Sequence, residues 1–289
     1  MKVFEKINET TSFLSEQKNS GLRIGFVPTM GALHEGHISL MRRAKAENDI
    51  LVVSIFVNPI QFNNSSDLDK YPRTLDADSR MLEEVGCDVL FAPKVDEMYP
   101  EAVTKNYDFG LLGDVMEGSN RPGHFNGVAI VVKKLFEICV PHKSYFGEKD
   151  FQQLAIITKL VKMEAMDVDV VPCSIVREED GLAMSSRNQR LSEEQRKKAP
   201  FIYQTLKEAQ KLTKVMSVKQ LKKWVYDQFA EQNAFELEYF EISDDAELQA
   251  VSTWDEAENT MGFIVAHMGK IRLIDNIRLF NNFVAATEG

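Results

Sequence analysis

Two histidines three residues apart follow a short apolar run near the start of the chain. His34 and His37 lie in the segment Pro-Thr-Met-Gly-Ala-Leu-His-Glu-Gly-His, residues 28–37, and on a helical turn they share one face. The glycines of this segment, Gly31 and Gly36, let the backbone approach a ligand closely. A helix that begins here directs unpaired N–H groups, and the positive end of its dipole, at the same point. The spacing therefore predicts a phosphate-binding turn, which we call the histidine turn.

An ordinary turn is the competing interpretation of these residues. Junctions of strand, glycine and helix are common in α/β proteins, and a lone histidine more often caps a helix or packs. The chain has five histidines, and two of them fall at this one junction. That coincidence favours a site that binds phosphate.

The elements on either side must position the histidine turn. Residues 24–27 are apolar and predict a buried strand, and the apolar positions from 38 to 44 have the spacing of one helix face. A second run, residues 49–57, is β-branched and nearly all apolar, as expected for a central parallel strand buried on both faces. This second strand leads into a polar loop that carries Asn58 and Gln61.

Strands alternate with helices over the first part of the chain. We expect helices over residues 3–18, 75–85 and 127–140 and from 150 onwards, and strands over 88–93, up to 147, and over 167–171. Such alternation is typical of a doubly wound parallel sheet of the Rossmann-like α/β class. Right-handed crossovers then place ligands at the carboxyl ends of the strands.

The pattern changes near residue 174. We expect helices around 192–213 and 217–232, then strands over 235–242, 262–267 and 271–275. Helices followed by a small antiparallel sheet predict a second, smaller α+β domain. The predicted domains are therefore 1–175, which binds nucleotide and substrate, and 176–289.

Composition excludes some classes of function. The chain has 289 residues, a net charge of −10 and no basic tract, so bulk binding to nucleic acid is not expected. The three cysteines show no CxxC spacing, which favours free thiols in a reducing cytoplasm. No run of eighteen apolar residues and no signal-peptide pattern is present, so we expect a cytoplasmic protein without a membrane partner.

Further polar segments follow predicted strands or precede predicted helices. They are Asn58 with Gln61, Gly147-Glu148-Lys149-Asp150 with Gln153 just beyond, Met184-Ser185-Ser186-Arg187, and Arg121-Pro122-Gly123-His124. Each has a plain alternative: Lys149 is consistent with a surface lysine, Asp150 with a helix cap, and the two serines with a polar loop. Together with the histidine turn, they favour one ligand site.

Long motifs give the chain a specific resemblance. These are residues 28–37, Phe-Val-Asn-Pro-Ile-Gln-Phe at 56–62, Tyr-Pro-Arg-Thr at 71–74, Phe-Gly-Glu-Lys-Asp-Phe-Gln-Gln-Leu at 146–154, and Asp-Gly-Leu-Ala-Met-Ser-Ser-Arg-Asn at 180–188. The histidine turn resembles the HxGH nucleotidyltransferase superfamily, which includes the class I aminoacyl-tRNA synthetases. The full set, in order and spacing from about residue 22 to 192, resembles the pantoate–β-alanine ligase family. The last hundred residues are compatible with that family, but the resemblance rests on no motif there.

The resemblance implies a ligase that converts ATP, pantoate and β-alanine into pantothenate, AMP and pyrophosphate. In the first half-reaction AMP is attached to the pantoate carboxylate. In the second, the β-alanine amine attacks the acyl adenylate. Such chemistry needs preorganised donors for charge that grows on the phosphate oxygens.

The resemblance also assigns roles to residues. His34, His37 and Lys149 would be catalytic. ATP would be bound by Met30, Gly31, His34, Gly36, His37, Gly147, Glu148, Lys149, Asp150, Val176, Met184, Ser185, Ser186 and Arg187. Pantoate would be bound by Gln61 and Gln153, with Met30 and Asn58 beside them.

Three further expectations concern ions, assembly and motion. Mg²⁺ is expected because it neutralises phosphate and prefers few protein ligands, and Asp78 is the candidate carboxylate. The resemblance implies a homodimer. The loop Met184–Arg187 should close over ATP as a lid, because a closed state would exclude water from the acyl adenylate.

Other functions compete with this interpretation. A different adenylyl-transferring enzyme would share the turn, but a tRNA synthetase needs an anticodon-binding surface, and this acidic chain shows none. A nucleotide-sensing module should have lost His37, Lys149 or Arg187, and all three are present. A protein-interaction scaffold is weaker still, because no apolar helix face stands out as unpaired.

Overall fold

The computed structural model describes residues 1–63, 68–69 and 71–281. Within these residues the chain divides into two compact units. Unit 1 comprises Met1–Glu148 and Gln153–Ser174. Unit 2 comprises Lys149–Gln152 and the described residues from Ile175 onwards.

A parallel sheet forms the centre of unit 1. Its strands are β1 (Lys2–Phe4), β2 (Ile24–Thr29), β3 (Ile50–Ile55), β4 (Val89–Phe91), β5 (Lys143–Gly147) and β6 (Asp169–Cys173). Their order in the sheet is β1-β4-β3-β2-β5-β6, and each neighbouring pair is parallel. From β2 the chain adds β3 and β4 on one side of the sheet and β5 and β6 on the other. This change of direction at β2 confirms the predicted doubly wound α/β class.

Helices follow most of these strands. They are α1 (Ile7–Asn19), α2 (Glu35–Glu47), α3 (Leu75–Glu84), α4 (Val95–Met98), α5 (Leu111–Asp114), α6 (Met116–Asn120), α7 (His124–Cys139) and α8 (Phe151–Met163). The face of α2 predicted from its apolar spacing is buried, with Met41 and Ala44 inaccessible to solvent. That face packs in one core cluster with Leu51 and Val53 of β3, which fixes the helix that begins at the histidine turn.

One predicted helix begins later than expected. We expected a helix over 3–18, but Lys2–Phe4 is a strand and the helix starts at Ile7. Val3 has the spacing of a helix face with Ile7, yet its side chain is exposed. Backbone pairing of β1 with β4 decides the outcome, and a helical pattern cannot reveal a partner that lies more than eighty residues away.

Unit 2 contains helices and an antiparallel sheet. The helices are α9 (Glu193–Lys198), α10 (Phe201–Leu212) and α11 (Val218–Ala230), and the strands are β7 (Glu236–Asp244), β8 (Asn259–Met268) and β9 (Ile271–Asn281). The sheet order is β7-β8-β9, and a turn at Gly269 and Lys270 joins β8 to β9. The single helical run expected over 192–213 is two helices, because Pro200 has no N–H and cannot donate a helical hydrogen bond.

Packing in unit 2 follows the same logic as in unit 1. The apolar stripes of α10 and α11 cover one face of the sheet, where Leu206 and Leu221 share a buried cluster with Phe240 and Ile264.

Among the described residues, no helix has the length and apolar character that crossing a membrane requires.

Candidate active site

The histidine turn begins where β2 ends. Gly31 and Ala32 both have left-handed backbone, with φ of 79° and 51°. The hydroxyl of Thr29 donates to the carbonyl of Ser54 at 2.8 Å and accepts from the N–H of Gly31 at 3.2 Å. Glycine adopts positive φ at little cost, whereas alanine does not, so the turn at Ala32 must be held by its surroundings.

Asp78 of α3 supplies that support. Its side chain is buried, and its carboxylate accepts the N–H groups of Ala32 at 3.0 Å and Leu33 at 2.9 Å. The hydroxyl of Thr74 donates to the same carboxylate at 3.1 Å. A Cβ at Gly31 would lie 3.0 Å from Asp78 Oδ2, so a side chain there would press on the carboxylate. Successive N–H groups in this conformation form an anion-binding nest, and Asp78 fills it.

The two histidines lie at the start of α2. His34 is the N-cap residue, and its Nδ1 accepts from the N–H of Gly36 at 3.2 Å. The Nδ1 of His37 accepts in turn from the N–H of His34 at 3.4 Å, and the two ring centroids are 4.1 Å apart. When Nδ1 accepts, the proton of a neutral imidazole is on Nε2. The turn therefore holds two adjacent N–H donors over a helix N-terminus.

The loop after β3 carries a buried amide network. Asn58 Nδ2 donates to Gln61 Oε1 at 3.0 Å, and Gln61 Nε2 lies 3.0 Å from the sulfur of Met30. Tyr99 donates its hydroxyl to Asn58 Oδ1 at 2.8 Å. Burial raises the pKa of Tyr99, so this hydroxyl stays protonated at neutral pH. The predicted substrate residues Met30, Asn58 and Gln61 are thus brought together, and Tyr99 is a member that the sequence did not suggest.

The segment Arg121–His124 supports this loop from behind. His124 is buried at the start of α7, and its Nδ1 lies 2.9 Å from the carbonyl of Gln61. Gly127 approaches so closely that a Cβ there would lie 2.5 Å from the carbonyl of Ile60. Helix α7 therefore fixes the backbone of the loop. Sequence spacing does not reveal Gly127, because the close approach joins segments far apart in the chain.

A cavity of about 380 Å³ opens in unit 1 beside the histidine turn. Met30 and Gly31 line it from the turn, and Phe56 and Pro93 line it from the segments that follow β3 and β4. The cavity is thus at the carboxyl ends of central strands, which is where open α/β sheets bind ligands.

The segment that follows β5 is a tight turn. Glu148–Asp150 forms a single 3₁₀ turn, and α8 starts at Phe151 and carries Gln153. The side chain of Lys149 is largely buried, with its ammonium 3.9 Å from the carboxylate of Asp150. Lys149 is therefore not the fully solvated surface lysine of the alternative interpretation.

Residues 176–184 form a hairpin in unit 2, which we call the 176–184 hairpin. The N–H of Met184 donates to the carbonyl of Val176 at 3.0 Å, so these two predicted ATP residues are neighbours. Ser185 follows as an N-cap whose hydroxyl accepts from the N–H of Arg187 at 3.3 Å. The structure thus presents Ser185, Ser186 and Arg187 on a capped 3₁₀ turn.

The expected Mg²⁺ ligand has other partners. The carboxylate oxygens of Asp78 already accept three hydrogen bonds. Over the described ranges, no group of three histidine, cysteine or acidic side chains is arranged to hold a metal ion. The geometry therefore gives Asp78 a bracing role and does not support it as a direct ligand of Mg²⁺.

Comparison with known proteins adds to this geometry. A sequence model of the pantoate–β-alanine ligase family matches residues 2–278. Pantothenate synthetases of Bacteroides fragilis and Phocaeicola vulgatus are 51% and 52% identical, over 96% of this chain and 99% of each relative.

Solved structures agree with these sequence matches. The crystal structure of pantoate–β-alanine ligase (pantothenate synthetase) from Thermus thermophilus has a TM-score of 0.91 and 41% identity, over 97% of this chain and all of that one. The Francisella tularensis pantoate–β-alanine ligase, complexed with β,γ-ATP and β-alanine, has a TM-score of 0.81 and 35% identity, over 96% of this chain and 97% of that one.

The doubly wound parallel sheet, with a histidine-capped helix after β2, defines an α/β fold of the kind found in these solved ligases. Within that class, the chain belongs to the pantoate–β-alanine ligase family.

Proposed function

We propose that this chain condenses pantoate with β-alanine to give pantothenate, AMP and pyrophosphate through a pantoyl adenylate. The observation that carries the proposal is the pairing at the start of α2. Both histidines accept backbone N–H groups at Nδ1, which leaves the Nε2–H groups as donors. Donors fixed in this way suit the phosphate of a nucleotide.

The first half-reaction joins pantoate to AMP. A pantoate carboxylate oxygen bonds to the α-phosphorus of ATP, and the bond from that phosphorus to the pyrophosphate oxygen breaks. Negative charge grows on the phosphate oxygens as this occurs. His34 and His37 stabilise that charge, and their fixed geometry means that little reorganisation is needed at the moment of reaction.

The amide network binds pantoate in this proposal. Pantoate carries two hydroxyls and one carboxylate, and the amides of Asn58, Gln61 and Gln153 offer both donors and acceptors to them. The bond from Tyr99 fixes the orientation of the Asn58 amide. Met30, in contact with Gln61, contributes an apolar wall for the methyl groups of the substrate.

In this proposal ATP is bound by residues around Lys149 and by the loop that follows the 176–184 hairpin. Lys149, Ser185, Ser186 and Arg187 supply cationic and hydroxyl donors to phosphate. Adenosine and its surroundings would be contacted by Gly147, Glu148, Asp150, Val176 and Met184, together with Met30, Gly31 and Gly36 of the turn. The pairing of Met184 with Val176 supports a shared role for those two residues.

The second half-reaction consumes the adenylate. The amine nitrogen of β-alanine bonds to the acyl carbon, and the bond from that carbon to the oxygen held by phosphorus breaks. AMP leaves with that oxygen, and the amine loses a proton as the amide forms.

Three further parts of the proposal concern the setting of the enzyme. Mg²⁺ accompanies ATP, because it neutralises phosphate charge and keeps water and phosphate oxygens as ligands. The working form is a homodimer, as the family resemblance implies. The enzyme acts in the cytoplasm, in keeping with its three buried free cysteines.

Product formation with substrates withheld one at a time tests the proposal. Pyrophosphate release should require ATP and pantoate but not β-alanine, and AMP with pantothenate should form in equal amounts when all three are present. Release of ADP, or turnover that does not depend on pantoate, would assign the chain to a different reaction. Nicotinamide mononucleotide and an amino acid serve as alternative acceptors, because other nucleotidyltransferases would use them.

A further inference from the structure

Two consecutive polar residues are buried on strand β9. Asp275 and Asn276 are 4% and 2% exposed, and they lie opposite Ile264 and Phe263 of β8. Successive residues of a strand point to opposite faces of the sheet, so each side chain needs its own polar partner. One partner of each side chain lies in a segment that carries residues assigned above to ATP.

Asp275 holds the base of the 176–184 hairpin. The guanidinium of Arg177 donates to both carboxylate oxygens, at 2.6 Å and 3.0 Å, as a two-pronged fork. The same guanidinium donates to the carbonyl of Gly181 at 3.1 Å and lies 3.7 Å from the ring centre of Tyr203. Burial raises the pKa of Asp275 and the Arg177 charge opposes that change, so the buried carboxylate is stabilised as an ion by its fork.

The hairpin turn packs on the same group of residues. Gly181 has a φ of 94°, and a Cβ there would lie 2.4 Å from the ring of Tyr203. The carbonyl of Ala183 accepts from the amide of Asn188 at 3.0 Å, which joins the hairpin to the turn that carries Ser185–Arg187. The fork between Arg177 and Asp275 therefore bears on the placement of Arg187.

Asn276 holds the other segment. Its Nδ2 donates to the backbone carbonyl of Lys149 at 3.0 Å. This bond fixes the main chain at the residue whose side chain is proposed to contact phosphate. The Lys149 stem is then positioned by a residue 127 positions away in the sequence.

We infer that Asp275 and Asn276 form one positioning pair, which sets the backbone of Lys149 and the base of the 176–184 hairpin from adjacent residues of β9. The inference rests on the proposed function, because these two segments matter to catalysis only if they bind ATP. Neither residue is a catalytic residue. Each acts through a group that contacts the nucleotide.

The pair has a kinetic consequence. A displacement of about 1 Å in a group that contacts the transition state can lower the rate on the order of 10²-fold. Loss of the Asn276 bond should therefore lower the turnover of pantoate adenylation by roughly 10-fold to 10²-fold and leave the KM for pantoate nearly unchanged.

A double-mutant cycle separates positioning from general support of the fold. The measured quantity is pantoate-dependent exchange of labelled pyrophosphate into ATP, with β-alanine absent. Asn276→Ala should slow exchange in the otherwise unchanged chain but should have no further effect when Lys149→Ala is already present. The cycle isolates the coupling between the two residues. An equal loss in both backgrounds, or no loss in either, would overturn the inference.

A second experiment tests the contact between Asp275 and the hairpin. It uses Arg177→Lys, which keeps the charge but loses the two-pronged donation to the carboxylate. This variant should raise the KM for ATP in the chain that retains Arg187 and have little effect beside Arg187→Ala. Full additivity of the two substitutions would overturn this part of the inference.

Controls keep the result interpretable. Arg278→Gln removes an exposed ion pair with Asp245 from the same strand and should leave exchange unchanged. Thermal unfolding is measured for every variant, and if Asn276→Ala does not fold, Asn276→Leu, which fills a similar volume but has no donor, enters the same cycle with the same expected result. If the unaltered chain shows no pantoate-dependent exchange, the proposed function fails first, so the two failures are distinguishable.

Discussion

Two buried aspartates each support one segment that is proposed to bind ATP. Asp78 supports the histidine turn and Asp275 supports the 176–184 hairpin, through different kinds of contact. Asp78 accepts N–H groups of the histidine turn directly, so main chain is bound to a carboxylate. Asp275 contacts the 176–184 hairpin through the side chain of Arg177. The first support has no rotatable side chain on the side of the turn, whereas the second includes a long and flexible one.

This difference shows that the two segments are held in position by different kinds of contact. The histidine turn lies at the end of a central strand whose residues are all buried except Pro28, and α2 is packed in a core cluster of unit 1. Its donors are therefore preorganised by backbone and core packing. The 176–184 hairpin is buried in the core of unit 2 at Leu182, but its base and the turn that follows it are placed by the polar side chains of Arg177 and Asn188.

Among the substitutions that test this comparison, replacement of His37 should lower turnover the most. His37→Ala removes one fixed donor, so turnover should fall on the order of 10²–10³-fold, since the contribution of that donor grows in the transition state. Steady-state kinetics with ATP varied should show a much smaller change in the KM for ATP. Glu35→Gln in the same turn is the matched control and should stay close to the unaltered rate. Normal turnover with only a raised KM would remove His37 from the catalytic group.

The sequence was sufficient to predict the strand, the turn and the helix that carry the two histidines, because that part of the information is local. Two glycines, two histidines and a flanking apolar strand lie within about a dozen residues. The opposite holds for Asp275 and Asn276, whose partners Arg177 and Lys149 are about one hundred residues away. The same reason explains β1, whose strand pairing is long-range, and Tyr99, whose bond to Asn58 spans 41 positions.

Asp78→Asn should have the next largest effect, because the comparison makes this carboxylate the support of the histidine turn. An amide in its place turns a donor towards the N–H of Ala32 or Leu33, and one buried N–H then loses its acceptor. We expect a loss of about 1–3 kcal/mol in the free energy of unfolding. Turnover should also fall by on the order of 10-fold or more, through misplacement of the turn. Equilibrium denaturation and exchange kinetics measure the two effects.

The control for this substitution is Asp76→Asn, an exposed residue on the first turn of the same helix. It should leave both stability and turnover nearly unchanged. A normal Asp78→Asn enzyme whose requirement for Mg²⁺ had risen sharply would favour the metal-ligand role instead of the bracing role.

Gln61→Ala should affect pantoate more than ATP. The substitution leaves polar groups of the substrate without a partner, at a cost of about 1–3 kcal/mol. The KM for pantoate should rise accordingly in steady-state assays, and Gln153→Ala should behave in the same way. Equal losses for ATP and pantoate would place these amides in the nucleotide site. Gln17→Ala, on helix α1, is the control.

Amide exchange sharpens the comparison of the two supports. Because polar side-chain contacts of Arg177 and Asn188 contribute to the placement of the 176–184 hairpin, we expect amides of residues 178–190 to exchange faster than those of residues 31–38. ATP with pantoate should slow exchange in 178–190 if the loop closes as a lid. Equal exchange with and without ligands would make the loop a fixed binding element.

The smallest expected effect is a pH dependence of stability that arises from Glu47, the last residue of α2. The hydrogen bond from Arg43, with those from Lys143 and Tyr145, lowers the pKa of Glu47 to about 2 from its ordinary value of 4.5. A lowered pKa means that this group stabilises the fold fully above about pH 4.5 and loses that contribution as the pH falls towards 2. The stability difference between Glu47→Gln and the unaltered chain should therefore shrink over this range.

The central claim is that this chain forms an acyl adenylate of pantoate, and labelled oxygen tests it most directly. Pantoate carrying ¹⁸O in its carboxylate is converted in the presence of ATP and β-alanine, and the products are analysed by mass spectrometry. Because the carboxylate oxygen bonds to the α-phosphorus and leaves with it, one ¹⁸O should appear in each AMP formed. Label in pyrophosphate or inorganic phosphate, or AMP that carries no ¹⁸O, would contradict the account.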